Sequence, residues 1–320
     1  MNHIRKYFFS ALLLVSVPCF VNGQGRILQL LEVNPDARSA AMGGQFLMGA
    51  DHNYLYVNPT SLLYKEDARY SIDVNGQLYP KQEGADGTLW YGNASAGWRF
   101  LSRHAAYAGF RYQGGLSIPT VSDQFGTPGK PIKPFDWAID LGYSFKLSSA
   151  LSVFATGSLV QSWIGEGGYA GLFSVGGNYR QALNLGLVPS LLNVAVRVTD
   201  FGTPIYYKSK GYALPSNAQA GADLSMEMAP EHSITVALGG RYVFFPDNAR
   251  LLQGGAGAEY SFRRMLSARA GFQFGEHKSS HATFGLGCKF AGIRLDAAYL
   301  VSTANETGVN TLLLSLGYQF

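Results

Sequence analysis

A site that does chemistry needs a nucleophile, a base or a set of metal ligands gathered in one place, and this 320-residue sequence holds few such groups. Of its six histidines, His52, His104, His232, His277 and His281 lie beyond the N-terminal apolar stretch. His277 and His281 are near one another, but a loop containing Ser279 and Ser280 separates them and no third ligand is at hand, so no metal site is expected. Cys288 is the one cysteine after residue 23, which excludes an intramolecular disulfide or a C-x-x-C site in that part of the chain. The runs Gly165-Glu166-Gly167-Gly168 and Gly254-Gly255-Ala256-Gly257 superficially look like phosphate loops, yet neither lies between a buried parallel strand and a helix. They read as loop flexibility and strand bending. With no nucleophile, base and orienter to assemble, neither enzymatic activity nor a cofactor is expected.

The elements that would carry these residues are strands. Glycine numbers 39, Tyr and Phe add 19 and 20, and only 14% of residues are charged, too few for a surface that faces water all round. After residue 23 there is no run of roughly 20 apolar residues, so helical spanning of a membrane is excluded for that region. The structure that still satisfies every backbone N–H and C=O in lipid is a closed barrel, whose signature is alternation. Residues 1–23 read as an export signal, with Arg5 and Lys6 before the apolar stretch from Tyr7 to Val17 and a small-residue cleavage pattern at Val21-Asn22-Gly23. Cleavage before Gln24 is expected, and Pro18 before Cys19 argues against lipidation. Without that segment 23 basic residues face 21 acidic ones, a net of +2 that does not invite nucleic acid.

Period-two alternation recurs from residue 69 to the end. Phe135, Trp137, Ile139, Leu141, Tyr143, Phe145 and Leu147 share one face, opposed by Asp136, Ala138, Asp140, Gly142, Ser144 and Lys146. About fourteen such strands are predicted, at 69–78, 88–100, 104–114, 135–146, 150–162, 171–182, 191–201, 216–228, 232–245, 251–262, 266–275, 281–290, 292–301 and 311–320. Ten tilted residues span roughly 25 Å, the height of an outer-membrane apolar band. Short joins near residues 101–103, 147–149, 229–231, 263–265 and 291, with a looser one at 184–190, alternate with longer ones at 115–134, 163–170, 202–215 and 302–310. That parity places both termini on the periplasmic side, with His104 and His232 in periplasmic turns. The last strand ends Leu312, Leu314, Leu316, Tyr318 and Phe320 on one face, which looks like the signal read by outer-membrane assembly machinery. The fold class expected is an all-β transmembrane antiparallel barrel over 69–320, preceded by a plug over 24–68.

That plug segment does not alternate. Gln29, Leu30, Leu31 and Val33 suit a short helix before the turn Asn34-Pro35-Asp36. Asp36-Ala37-Arg38-Ser39-Ala40-Ala41-Met42-Gly43-Gly44, then Asp51, then Tyr56-Val57-Asn58-Pro59-Thr60-Ser61-Leu62, resembles the N-terminal signature of the PorV/PorQ family, whose fold is related to FadL-type transporters. Thr60 departs from that pattern, where alanine is usual, and Asp200-Phe201 departs from a second similarity at Val198–Pro204. Arg38, Gly43, Gly44, Asn58 and Pro59 read as structural residues of the plug, the glycines for close backbone approach and Asn58-Pro59 for a fixed turn.

Inward-facing Asp136, Asp140, Arg197, Asp223, Glu227, Arg241, Glu259, Arg269, Lys289, Arg294 and Asp296 mix both signs, which suits a hydrogen-bonded lumen holding a plug better than a porin's one-sign ring. Loop residues Pro119, Pro128, Tyr206, Tyr207 and Tyr212 suit protein recognition, since Pro limits the entropy lost on docking and Tyr offers amphipathic contact area. The resemblance implies a non-enzymatic outer-membrane component of the type IX secretion system, with membrane lipid and secreted cargo or surface-anchored secretion proteins as partners. The alternative is a FadL-like carrier of hydrophobic small molecules.

Overall fold

A computed structural model of the chain describes residues 28–44, 47–82, 84–275, 280–302 and 310–320. The expected signal segment and His277 lie outside the described residues. Sixteen strands follow in order. They are β1 (Tyr70–Leu78), β2 (Asp86–Phe100), β3 (His104–Ser117), β4 (Phe135–Lys146), β5 (Leu151–Trp163), β6 (Gly167–Leu185), β7 (Val188–Gly202), β8 (Ile205–Tyr207) and β9 (Lys210–Tyr212). The rest are β10 (Ser216–Ala229), β11 (His232–Phe245), β12 (Leu251–Phe262), β13 (Leu266–Gly275), β14 (His281–Phe290), β15 (Ile293–Ser302) and β16 (Thr311–Gln319). All but β8 and β9 form one antiparallel barrel, closed where β1 pairs with β16 from Ser71 opposite Gln319 to Leu78 opposite Leu312. No helix among the described residues is long and apolar enough to cross a membrane, so the wall spans with strands.

The alternation sorts the two faces. Ile72, Val74 and Leu78 of β1 are exposed while Ser71, Asp73, Asn75 and Gln77 are buried, and Leu312, Leu314 and Leu316 of β16 are exposed opposite buried Ser315. The barrel is thus apolar outside and polar inside, the inverse of a soluble sandwich. Aromatic rings gather at both rims of the outer face. Tyr70, Trp98, Tyr318 and Phe320 stack at one, with the Phe320 ring 5.2 Å from both Tyr70 and Tyr318. Trp90, Tyr112 and Phe135 meet at the other. Such girdles sit at the lipid–water boundaries of membrane barrels.

Joins at the rim holding Phe320 are tight. Ala291 and Gly292, both at positive φ, make a two-residue turn, and Gly186 and Leu187 do the same work between β6 and β7. The looser join expected at 184–190 is therefore corrected, because the β6–β7 ladder runs on to Leu185 opposite Val188. At the opposite rim, the longer loop expected over 163–170 is only residues 164–166, turned at Gly165 with φ of 101°. Residues 202–215 are not an open loop either. They form the β8–β9 hairpin, with Ile205 opposite Tyr212, and it folds into the barrel mouth.

The interior is occupied by residues 28–68. A 3₁₀ turn (Gln29–Leu31), one short helix α1 (Ala37–Ala41) and a second 3₁₀ turn (Ser61–Tyr64) cross it, and α1 packs on β13 to β16. Asp36 caps α1, its Oδ2 accepting the Ser39 N–H at 2.8 Å.

The exposed face of β14 provides a test. Leu286, 68% exposed and paired with Ala268 and Ala297, lies mid-strand on the outer surface. Leu286→Arg should cost about 2–4 kcal/mol of folding stability in vesicles, the midplane cost of a charge facing lipid. A loss within ~0.5 kcal/mol in urea titrations, the range of a solvated surface substitution, would mean that this face is not in lipid.

Candidate functional site

The luminal segment is fastened by ion pairs drawn from opposite parts of the sequence. Arg38 of α1 donates Nε and Nη2 to the two carboxylate oxygens of Glu259 on β12, each at 2.9 Å, and Nη1 to the Gly49 carbonyl at 2.7 Å. Glu259 also accepts from Arg269 Nε at 2.5 Å, and Arg269 reaches Asp296 at 2.7 Å. Arg294 bridges Asp296 at 2.7 Å and Asp51 of the segment at 2.8 Å, and Asp51 takes a further contact from Lys65 at 2.9 Å. Burying such charges is costly unless each is paired and hydrogen-bonded, and here bidentate and shared contacts meet that condition.

His52 sits inside the same network, its Nε2 2.8 Å from Asp36 Oδ1 and 3.6 Å from Asp296 Oδ2. The N–H does not line up on either oxygen, so this is a charge contact more than a directed hydrogen bond. Burial alone would raise the Asp36 carboxyl, but the charge of His52, the Ser39 N–H and Arg38 outweigh it and hold Asp36 down at about 2. Burial alone would lower His52, and the Asp36 and Asp296 carboxylates reverse that, leaving its imidazole above the usual value.

A second fastening lies across the lumen. Arg111 of β3 grips Asp140 of β4 at 2.8 and 2.6 Å, and the Tyr56 hydroxyl of the segment donates to the same carboxylate at 2.9 Å. Arg197 of β7 donates to the Tyr56 carbonyl at 3.3 Å.

The residues singled out from sequence fall as follows. Gly43 and Gly44 have φ of 80° and 69°, and Met42-Gly43 lies flat on the wall, where a Cβ on Gly43 would come 2.5 Å from the Ala256 carbonyl. The wall answers with glycines of its own, since a Cβ on Gly255 would sit 1.9 Å from the Gly43 carbonyl and one on Gly257 2.4 Å from that of Met42. The strand bending expected for Gly254-Gly255-Ala256-Gly257 is thus corrected to close backbone approach at Gly255 and Gly257. Asn58 donates Nδ2 to Asn178 at 3.1 Å and its Oδ1 accepts the Thr60 hydroxyl at 2.7 Å, so threonine closes the turn where alanine could not. The Pro59 carbonyl accepts from the Tyr107 hydroxyl.

The loop residues divide. Pro119 and Pro128 are exposed at the far rim, on an extension joined by bridges Ile118–Ile132 and Val121–Pro128. Tyr206 is exposed, but Tyr207 is buried and Tyr212 half-buried, packed with Leu28, Leu30, Leu31 and Ile205 in the apolar cluster at the mouth. The expectation that all three tyrosines face partners is corrected, because the two-residue alternation of a hairpin turns Tyr207 inward. His104 and His232 sit at the outer rim, bonded to Tyr143 and Tyr260 hydroxyls. His52 carried no legible signal, since its three acidic neighbours come from residues 36, 73 and 296.

No protein-family model and no curated protein matches the sequence. Solved structures match the fold. The Ralstonia pickettii toluene transporter TbuX shares 15% identity with a TM-score of 0.57, over 89% of this chain and 98% of that one. The Pseudomonas putida toluene transporter TodX gives 13% and 0.57, over 88% and 96%. A Pseudomonas aeruginosa FadL homologue gives 12% and 0.53, over 89% and 98%. The chain is a closed FadL-like barrel of 14 antiparallel strands.

Two expectations follow from the network. Arg38→Ala leaves Glu259 with Arg269 but strips the Gly49 carbonyl, and should cost on the order of 2–3 kcal/mol, less than a fully orphaned buried charge. Arg38→Lys should not restore it, for lack of the two-pronged geometry; full recovery of melting temperature with Lys would contradict this. Asp36 stabilises the segment above its unfolded value of ~3.9, and that contribution is lost as pH falls towards the folded one. His52 contributes fully below about 6.5 and loses its contribution as pH rises through its raised folded value. Protease cleavage within 28–68 should therefore be slowest between roughly pH 4 and 6.5, and His52→Gln should abolish the alkaline rise only. An unchanged alkaline limb in that variant would remove His52 from the account.

Proposed function

We propose that the chain is an outer-membrane conduit for small hydrophobic molecules, its lumen closed by residues 28–68 as a plug and by the β8–β9 hairpin at the mouth. The observation that carries this reading is the apolar cluster of Leu28, Leu30, Leu31, Tyr91, Val160, Leu172, Ile205 and Tyr207, the largest break in an otherwise polar interior. Apolar solutes partition onto such surface at roughly 25 cal/mol per Å². The fold shared with TbuX and TodX, which are toluene transporters, points the same way. In this reading an exported chain loses residues 1–23, and both termini face the periplasm with the short turns. No residue does covalent chemistry.

A second reading has its own observation. The 118–132 extension presents Phe125 at 86% exposure with Val121 and Ile118 beside it, an apolar tip where a partner protein could dock. Together with the Met42-Gly43-Gly44 and Asn58-Pro59 resemblance, it supports a type IX secretion role in which loops receive cargo or a surface-anchored protein.

One experiment separates them. Cells with and without the gene are compared for uptake of a labelled monoaromatic hydrocarbon, and the barrel's copurifying proteins are identified in parallel. Uptake should rise with the protein and fall about tenfold in Ile205→Asp, in which a charge enters the cluster. Uptake that is indifferent to the gene, with cargo copurifying through Phe125, would reject the conduit in favour of the secretion reading.

A further inference from the structure

The lumen is not uniform. Beside the apolar cluster, between residues 29–40 and the inner faces of β1, β3 and β11 to β16, lies a cavity of about 370 Å³. Its lining breaks from the ionic network, for it gathers five glutamines, Gln29, Gln77, Gln113, Gln253 and Gln273. They come from five separate elements, so the cluster is a product of barrel closure and not of a local run. Gln77 and Gln113 are more than nine-tenths buried, and Oε1 of each has no hydrogen-bond partner among the described residues. Buried polar atoms are almost always partnered, so two such oxygens at one cavity call for something to donate to them. Gln253 is pinned differently, its Oε1 accepting from Arg241 Nε at 3.1 Å and Nη2 at 2.6 Å, which leaves the amide nitrogen as its donor edge. Asn34 and Thr311 add further polar atoms to the lining, and the Tyr79 ring borders it.

We propose that this cavity binds a neutral, hydroxyl-rich small molecule of the size of a mono- or disaccharide. A carboxamide sets an acceptor and a donor side by side, which matches neighbouring hydroxyls that each donate and accept. Glu32 and Arg241 bring one charge of each sign, so the lining has no excess charge to draw an ion in preference to a neutral solute. Tyr79 offers a flat apolar face of the kind that covers the C–H side of a sugar ring. The volume lies at the lower end of the ~300–1,000 Å³ of small-molecule sites. The proposal goes beyond the conduit reading and stands without it, since its ligand is polar and its contacts are the glutamines, not the apolar cluster.

The test uses the full-length barrel in a detergent without a sugar headgroup, titrated calorimetrically with glucose, sucrose and, as a charged control of like hydroxyl content, gluconate. Saturable binding of glucose or sucrose is expected, with gluconate at least about tenfold weaker and with Gln77→Leu/Gln113→Leu weakening the sugar about tenfold or more. Should that double variant lose the heat-dependent gel shift of a folded barrel, Gln113→Glu, which keeps the side-chain shape, takes its place with the same expected loss. No saturable binding of either sugar, equal binding of gluconate, or unchanged affinity in a folded variant would overturn the proposal. Uptake of a hydrocarbon is read separately, so either idea can fail alone.

Discussion

Lipid supplies no hydrogen bonds, and the whole architecture follows from that. A strand wall can cross it only if the last strand returns to the first, so the pairing of β1 with β16 is the contact on which the other ladders depend. Closure explains why the C-terminal strand is apolar along one face and ends in Phe320, whose backbone carbonyl accepts from Arg69 and Tyr70 and whose backbone N–H donates to Tyr70. It also fixes the inner face. Side chains that point away from lipid must be satisfied by one another, which is why Ser, Asn, Gln, Asp and Arg fill the lumen rather than Leu and Val.

A polar lumen of this size is not filled by wall side chains alone, and residues 28–68 complete it. The division of labour is visible in the contacts. Charged groups fasten one part of the segment through Arg38, Asp51 and His52, while glycines let its backbone touch the wall at Met42 and Gly43. The two devices need each other. Ion pairs of the Arg38–Glu259 kind are worth having only when water is excluded, and the flat glycine contact brings backbone close enough to exclude it.

Much of this was legible in the residues. Strand positions came through because alternation with a period of two is imposed at every residue facing lipid, and β10 through β16 matched to within a residue or two. The inner charges were legible as a mixed set, but their partners were not, since Glu259 and Arg38 stand 221 residues apart and only closure brings them together. Tyr207 and Tyr212 misled for a physical reason. A Tyr-rich, Lys-containing stretch between two long strands looks like a solvated loop, and nothing local announces that its apolar partners are Leu28, Leu30 and Leu31. The glycines of β12 were assigned to bending because their neighbour in space, Met42-Gly43, belongs to a segment read without any register against the wall.

The unequal fastening of the interior bears on how a solute could pass. Withdrawing the part of the segment around Arg38 would strand Glu259, Asp51 and Arg294, at about 3–5 kcal/mol for each buried charge left alone. The β8–β9 hairpin is held otherwise, by the packing of Ile205 and Tyr207 and by a rim contact of Lys208 with Glu166 in which the lysine is largely exposed. An exposed ion pair of that kind contributes at most about 1 kcal/mol. An apolar solute that replaces the packing of Ile205 restores what the hairpin gives up, whereas no neutral solute can replace Arg38. On the conduit reading, then, the mouth opens at the hairpin while the charged part of the segment stays in place, and passage must run beside that segment and not through the space it occupies.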